Sequence, residues 1–244
     1  MIAEMLIFIA IACVGVFVVS FAGFGFALTM VPLLSLFFSP KQFLPAYHMF
    51  APVCMLVLAL ESRQHIQWRF LVRILIAAVI AVPLGTIALN LLSAEIVHMV
   101  IAVLTLAFAT YLLFNKNTQI RKNGIVEMLV GFCSGFLNSC TAMSGPPVVM
   151  YGLARQWDKD VFRSTLLVYF SVLSILTLPS YYIMDMITIE SGKAAGVAIL
   201  PALVVGHYGI RLKNRVNEQL FRRVVLVVIL CLGIISVVSF FIRQ

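Results

Sequence analysis

Residues 138–147 read Asn138-Ser139-Cys140-Thr141-Ala142-Met143-Ser144-Gly145-Pro146-Pro147 and interrupt an apolar run that extends from 125 to 154. Polar residues followed by a glycine and two prolines cannot continue a helix smoothly: in a helix interior Gly costs about 1 kcal/mol and Pro about 3. Pro is suited instead to the first turn of a new helix. The run therefore reads as two helical arms joined by an irregular tip. A second interruption, Ala22-Gly23-Phe24-Gly25, lies near the middle of another apolar run, 2–38. As one helix that run would be roughly 55 Å long at 1.5 Å per residue, against a hydrocarbon core of about 30 Å. It too reads as two half-helices and a tip.

The remaining sequence says what solvent these breaks live in. A soluble domain carries about 25% charged residues. This chain of 244 carries 11%, with 63% hydrophobic residues and a mean hydropathy of +1.10. Further apolar runs fall at 42–60, 70–92, 96–114, 161–184, 193–210 and 220–242, with short polar gaps between them. Only helices or a closed barrel span lipid, because each backbone polar group needs a partner there. Runs this long are helices, since barrel strands alternate over about 10 residues. The expected fold is all-α, a polytopic transmembrane helical bundle, with the lipid bilayer as its surroundings.

The net charge of +8 does not point to nucleic acid, because the basic residues sit in the gaps between apolar runs. That is the pattern produced by retaining Lys and Arg on the cytoplasmic side. Cys13, Cys54, Cys133, Cys140 and Cys231 lie inside apolar runs without paired spacing, so neither a disulfide framework nor a metal site is expected. No Lys or Arg precedes the first apolar run in Met1-Ile2-Ala3-Glu4, so no cleaved signal peptide is expected.

Charge also orders the crossings. If all eight runs cross, the two sides hold 9 and 8 of the 17 basic residues. If the first and fifth runs are re-entrant hairpins that return to their own side, the split becomes 14 against 3. The second arrangement has the bias that cytoplasmic retention creates. It puts both termini on the non-cytoplasmic face of the cell (inner) membrane.

This topology repeats. Residues 1–122 form one hairpin (2–38) and three helices (42–60, 70–92, 96–114). Residues 123–244 form a second hairpin (125–154) and three more (161–184, 193–210, 220–242). An odd number of crossings inverts the second half. A shift of 120 aligns Gly15 with Gly135, Ala22 with Ala142, Gly25 with Gly145, Met30 with Met150, Leu33 with Leu153 and Phe50 with Phe170. Paired interruptions in corresponding places of two halves point to a transporter's binding site.

At these residues the chain resembles the sulfite exporter TauE/SafE family of membrane permeases. The likeness covers nearly the whole length. It rests on the break and Pro-containing loop from Phe24 to Pro40, and on the second copy from Gly131-Phe132-Cys133-Ser134-Gly135 to Gly145-Pro146-Pro147. It rests also on Gly206-His207-Tyr208-Gly209-Ile210-Arg211-Leu212. Ser139-Cys140-Thr141 and Met143-Ser144 stand where the family often has glycine, so the tip is less glycine-rich here. The resemblance implies a permease for sulfite, sulfonates or related small organosulfur anions.

The tips suit an anion physically. A helix that begins at mid-membrane points unpaired N–H groups and the positive end of its dipole at the tip. Small residues let backbone approach a ligand closely. The candidate substrate-binding residues are therefore Ala22, Gly23, Phe24 and Gly25 of the first tip, and Asn138, Ser139, Thr141, Ser144 and Gly145 of the second. No Lys or Arg is expected in the core. His48, an ionisable residue inside an apolar run, is a candidate for coupling. Gly15, Gly131 and Gly135 read as packing residues, His207 as a packing or interfacial histidine, and Cys140 as a buried inert thiol.

An enzyme is not expected. His48, His65, His98 and His207 have no i,i+4 pairing, and the nine acids, Glu127 among them, fall at or near run ends. No nucleophile–base constellation, cofactor motif or metal set emerges. The functional alternative is a lipid-moving, scramblase-like protein, whose needs re-entrant hairpins would also meet. The hairpin topology predicts that cysteines introduced at Asn123 and Asp158, in a background without native cysteines, label from the same side of the membrane. Labelling from opposite sides would mean that the fifth run crosses.

Overall fold

The computed structural model describes residues 2–22, 24–60, 65–114 and 119–213. Its elements are α1 (Ile2–Ala22), α2 (Phe26–Phe37), α3 (Pro40–Ala59), α4 (Trp68–Leu91), α5 (Ala94–Phe114), α6 (Gly124–Thr141), α7 (Gly145–Ala154), α8 (Lys159–Ile183) and α9 (Ile189–Lys213). No strand occurs among the described residues. Seven of these helices, all but α2 and α7, are long and apolar enough to cross a membrane. The expected last helix, 220–242, and Gly23 of the first tip lie outside the described residues.

The outer surface is what lipid requires. On α4, Val72, Ile76, Val79, Ile80, Leu84, Ile87 and Leu91 are exposed in a stripe at helical spacing, while Ile74, Ala78, Ala81, Val82 and Leu89 on the other face are buried. A protein in water seldom leaves so continuous an apolar face uncovered. Exposed Met99, Val103, Leu113 and Phe114 continue the pattern on α5.

Both broken segments return to the end of the bundle from which they start. At the α6–α7 hairpin, the Ile120 N–H donates to the Ala154 carbonyl at 3.0 Å. The Arg155 guanidinium donates to the Ile120 carbonyl at 3.0 Å. Glu127 in the first turn of α6 is 1% exposed. It accepts from Tyr151 of α7 and from Arg73 of α4, each at 2.8 Å. A carboxylate that reads as a run-end acid thus ties three helices together. At the α1–α2 hairpin, Glu4 and Met5 share one cavity with Phe38 and Lys41, just beyond the end of α2.

The arms are unequal, where the sequence suggested two half-helices. α1 and α6 have 21 and 18 residues, α2 and α7 only 12 and 10. The return arms are cut short locally. A Ser39–Gln42 capping box with Pro40 in the first turn starts α3 early. α7 ends where the backbone turns through Gln156, a non-glycine residue at φ 52.

Two glycine seams hold the bundle. α4 and α6 form the most extensive pair, followed by α1 with α9 and α3 with α8. A Cβ on Gly131 would collide with the Ile74 backbone, one on Gly135 would come within 2.8 Å of the Ala78 Cα, and one on Gly85 would meet the Phe136 carbonyl. In the second seam, a Cβ on Gly206 would come within 2.9 Å of Val16, and one on Gly209 would strike the Ser20 hydroxyl. The Gly206–Gly209 motif is therefore the surface on which α9 meets α1. Close backbone approach of this kind drives helix association in lipid, where burial of apolar area gives no net force. Gly131→Val should cost about 1–3 kcal/mol through overpacking and sharply lower the yield of folded protein. Gly196→Ala, with nothing within 4 Å of the added carbon, should leave the melting temperature unchanged or raise it, as detergent thermal-shift measurement would register.

Candidate functional site

The two tips meet at one buried cavity. From the first tip and the start of α2 it is lined by Phe24, Gly25, Phe26, Ala27 and Leu28, and from the second by Asn138, Ser144, Gly145 and Val149. Tyr47, Ala51 and Met55 of α3, with Phe170 and Ser174 of α8, complete the wall. All of these wall residues but Met55 lie in the middle third of α3 and α8, so the cavity sits about midway along both. In this conformation it is nearly closed, at ≈ 20 Å³, about the space one water needs.

The first tip is built by glycine. Gly25 has φ 94, the left-handed region, and is the N-cap of α2. The first intrahelical bond runs from the Thr29 N–H to the Gly25 carbonyl at 3.0 Å, and no side chain caps the helix. The N–H groups of the first turn, at Phe26, Ala27 and Leu28, thus lack helical acceptors on three residues that line the cavity. The Phe24 ring packs edge-on against Phe162 of α8 at 6.0 Å.

The second tip turns differently. α6 ends at Ala142, held at φ 59, whose N–H donates to the Asn138 carbonyl at 2.7 Å. The left-handed residue closes the outgoing helix here, whereas at the first tip it opens the return helix. Gly25 and Gly145, aligned by sequence, are therefore not conformational equivalents. Gly145 is the first residue of α7, and Pro146 and Pro147 follow. Proline has no N–H, so the first turn of α7 offers the donor of Gly145 and little more. The two helix starts bring similar dipoles but unequal numbers of donors.

The candidate side chains divide. Asn138 and Ser144 line the cavity. The Asn138 amide donates to Thr177 at 2.9 Å, and Ser144 makes no capping bond. Ser139 and Thr141 do not line it. The Ser139 hydroxyl donates back to the Gly135 carbonyl at 3.2 Å, on the face that meets Gly85, and Thr141 donates to Leu137 at 2.9 Å. Ala22 closes α1. Cys140 is a buried free thiol.

His48 is fully buried on α3. Its Nε2 donates to the Asn138 carbonyl at 3.2 Å, and its Nδ1 has no hydrogen-bond partner among the described residues. The imidazole is thus one bond from the cavity, wedged edge-on between the rings of Tyr47 and Tyr181 at 5.2 Å each.

The structure overturns the expectation of a core without basic residues. Arg163 is 6% exposed and donates to the Ser20 carbonyl at 3.1 Å, at the end of α1. By position it stands near the start of α8, yet packing carries it to the first tip, where it offsets the negative end of the α1 dipole. Sequence reading also missed α8 as a wall. The signal was present as Ser171, Ser174, Thr177 and Tyr181, a buried polar stripe at helical spacing in an apolar run.

Broken helices joined by irregular backbone inside a helical bundle, around a small central cavity, define a polytopic membrane permease. The family described as Sulfite exporter TauE/SafE matches residues 7–235, and the chain belongs to it. No curated protein and no solved structure matches the chain.

Filling the cavity separates packing from transport. A Cβ on Gly145 would meet only the Phe170 ring, at 3.9 Å. Gly145→Leu should keep a near-normal melting temperature and lose anion flux. Gly25→Leu should lose stability as well, by about 1–2 kcal/mol for a side chain in left-handed backbone.

Proposed function

We propose that the chain carries a small anion, sulfite or a related organosulfur anion, across the cell (inner) membrane through the cavity between its two tips. The observation that carries this reading is the convergence of two helix N-termini, α2 and α7, on one buried cavity midway along α3 and α8. Each helix start contributes roughly half a positive charge. Together they balance a monoanion without the cost of a basic side chain at the bilayer centre, about 2.5–3.5 kcal/mol on insertion scales. Arg163, at the first tip, is engaged with the Ser20 carbonyl and does not line the cavity, so no full countercharge touches the ligand and release remains possible. The closed cavity must open alternately to the two sides.

The inverted-repeat reading, with residues 1–122 and 123–244 as its halves, has support in the packing. Exchanging α1–α4 with α6–α9 turns the α4–α6 pair into α9–α1 and maps α3–α8 onto itself, and these are the three most extensive pairs. Gly85 against Phe136 corresponds within one residue to Gly206 against Val16. Phe50 stacks on Phe26 at the first tip as its counterpart Phe170 faces Gly145 at the second. In this topology Arg69, Arg73, Arg121, Lys122, Arg155 and Lys159 lie at the cytoplasmic end, and the N-terminus, with the C-terminus beyond the described residues, at the other. His48 is the proposed coupling residue, because a proton taken up at Nδ1 would act directly on the Asn138 end of the second tip.

Flux of labelled sulfite and of labelled lipid into proteoliposomes tests the reading. Sulfite moves and lipid does not; the reverse result favours the scramblase. Ser144→Ala and Asn138→Ala should weaken sulfite binding by about 0.5–1.5 kcal/mol per hydrogen bond lost. Ser139→Ala, with its hydroxyl turned onto its own helix, should change binding less.

A further inference from the structure

A second and larger cavity, ≈ 370 Å³, lies where α1, α3 and α9 begin. Its volume falls in the range of small-ligand sites, about 300–1,000 Å³. Glu4, Lys41, Glu190 and Lys193 stand among its lining with buried Phe8 and Ala46. Two lysines and two glutamates leave no net charge, so the lining neither repels a small anion nor traps it.

This vestibule and the inter-tip cavity approach each other through aromatic rings. On α3, Ala46 lines the vestibule and the next residue, Tyr47, lines the inter-tip cavity. Phe8 lines the vestibule and Phe26 the inter-tip cavity. Phe50 lies between them, edge-on to Phe8 at 6.2 Å and stacked on Phe26 at 6.0 Å. It is fully buried and lines neither space. Phe26 also contacts Tyr47 at 5.3 Å, which closes the row of rings.

We infer that the vestibule is the antechamber of the anion path on the face opposite the arginine-rich end of the bundle, and that Phe50 is the partition between it and the inter-tip site. This rests on the proposed transport role of the inter-tip cavity. Phe50 packs against a ring of α1 on one side and a ring of α2 on the other, so a shift of α1 or α2 against α3 changes its packing. It stands at the first tip, whose helix start carries most of the free N–H donors. An anion arriving from the vestibule would therefore meet α2 first.

Cysteine accessibility tests the partition without measuring transport. In a background lacking native cysteines, Gln42→Cys reports on the vestibule and Ala51→Cys on the inter-tip cavity. A small sulfonate-bearing methanethiosulfonate reagent is added to proteoliposomes on the vestibule side. Gln42→Cys labels readily and Ala51→Cys slowly. With Phe50→Ala, labelling at Ala51→Cys accelerates about tenfold, equivalent to roughly 1.4 kcal/mol off the opening barrier. Phe50→Leu, which keeps most of the volume, gives a smaller acceleration and decides the matter if Phe50→Ala does not fold. An unchanged rate in the folded variants, or acceleration only from the opposite face, overturns the inference. Sulfite flux in the protein with Phe50 intact separates the two failures: flux without sensitivity to Phe50 rejects the partition alone, and sensitivity without flux rejects the substrate alone.

Discussion

Backbone N–H and C=O groups inside a bilayer must find partners in the protein, and the two interrupted helices depend on how that demand is met. Irregular backbone at membrane depth is tolerated where protein surrounds it. The first break is flanked by buried Phe24, by the left-handed Gly25 and by Arg163 on the Ser20 carbonyl. The second is flanked by His48 on the Asn138 carbonyl and by Tyr181, whose hydroxyl donates to the Ser139 carbonyl at 2.6 Å. Three carbonyls near the ends of α1 and α6, those of Ser20, Asn138 and Ser139, thus accept from side chains of α3 and α8. The starts of α2 and α7 line the cavity. That asymmetry is what the proposed anion site relies on.

Holding the tips in place requires a frame that does not yield. The glycine seams bring α6 onto α4 at backbone distance and seat Val16 and Ser20 of α1 against Gly206 and Gly209 of α9. The Arg73–Glu127–Tyr151 network fastens the far end of the second hairpin to α4. α3 and α8 cross between these pairs and supply the walls of the cavity. Small residues thus serve two purposes in this chain. At 131, 135, 206 and 209 they bring helices together, and at 25 and 145 they leave room beside a tip.

The two tips differ in chemistry. Three N–H donors at the start of α2 face one at the start of α7, because prolines occupy the next two positions there. Ala142 holds a left-handed conformation at a cost of about 1–2 kcal/mol that glycine would avoid. An exchange of roles between the tips during transport would therefore not be symmetric: the first tip is the stronger donor and the second carries the polar side chains Asn138 and Ser144.

The sequence by itself determined the class of fold and the places where helices fail. Hydropathy, run length and charge bias are local or additive properties, and lipid punishes any exception to them, so they are legible without coordinates. The breaks at residues 22–25 and 142–145 belong to the same category, since Gly and Pro act on their own backbone. What only the tertiary structure decided was which faces turn inward. Helix rotation and crossing place Ser139 against Gly85 and away from the cavity, bring Arg163 from a helix start to the Ser20 carbonyl, and make α8 a wall through Phe170 and Ser174. Those outcomes depend on contacts between residues from about fifty to more than a hundred positions apart, set by the packing of glycine seams and aromatic rings, and apart from the polar stripe of α8 no local pattern encodes them.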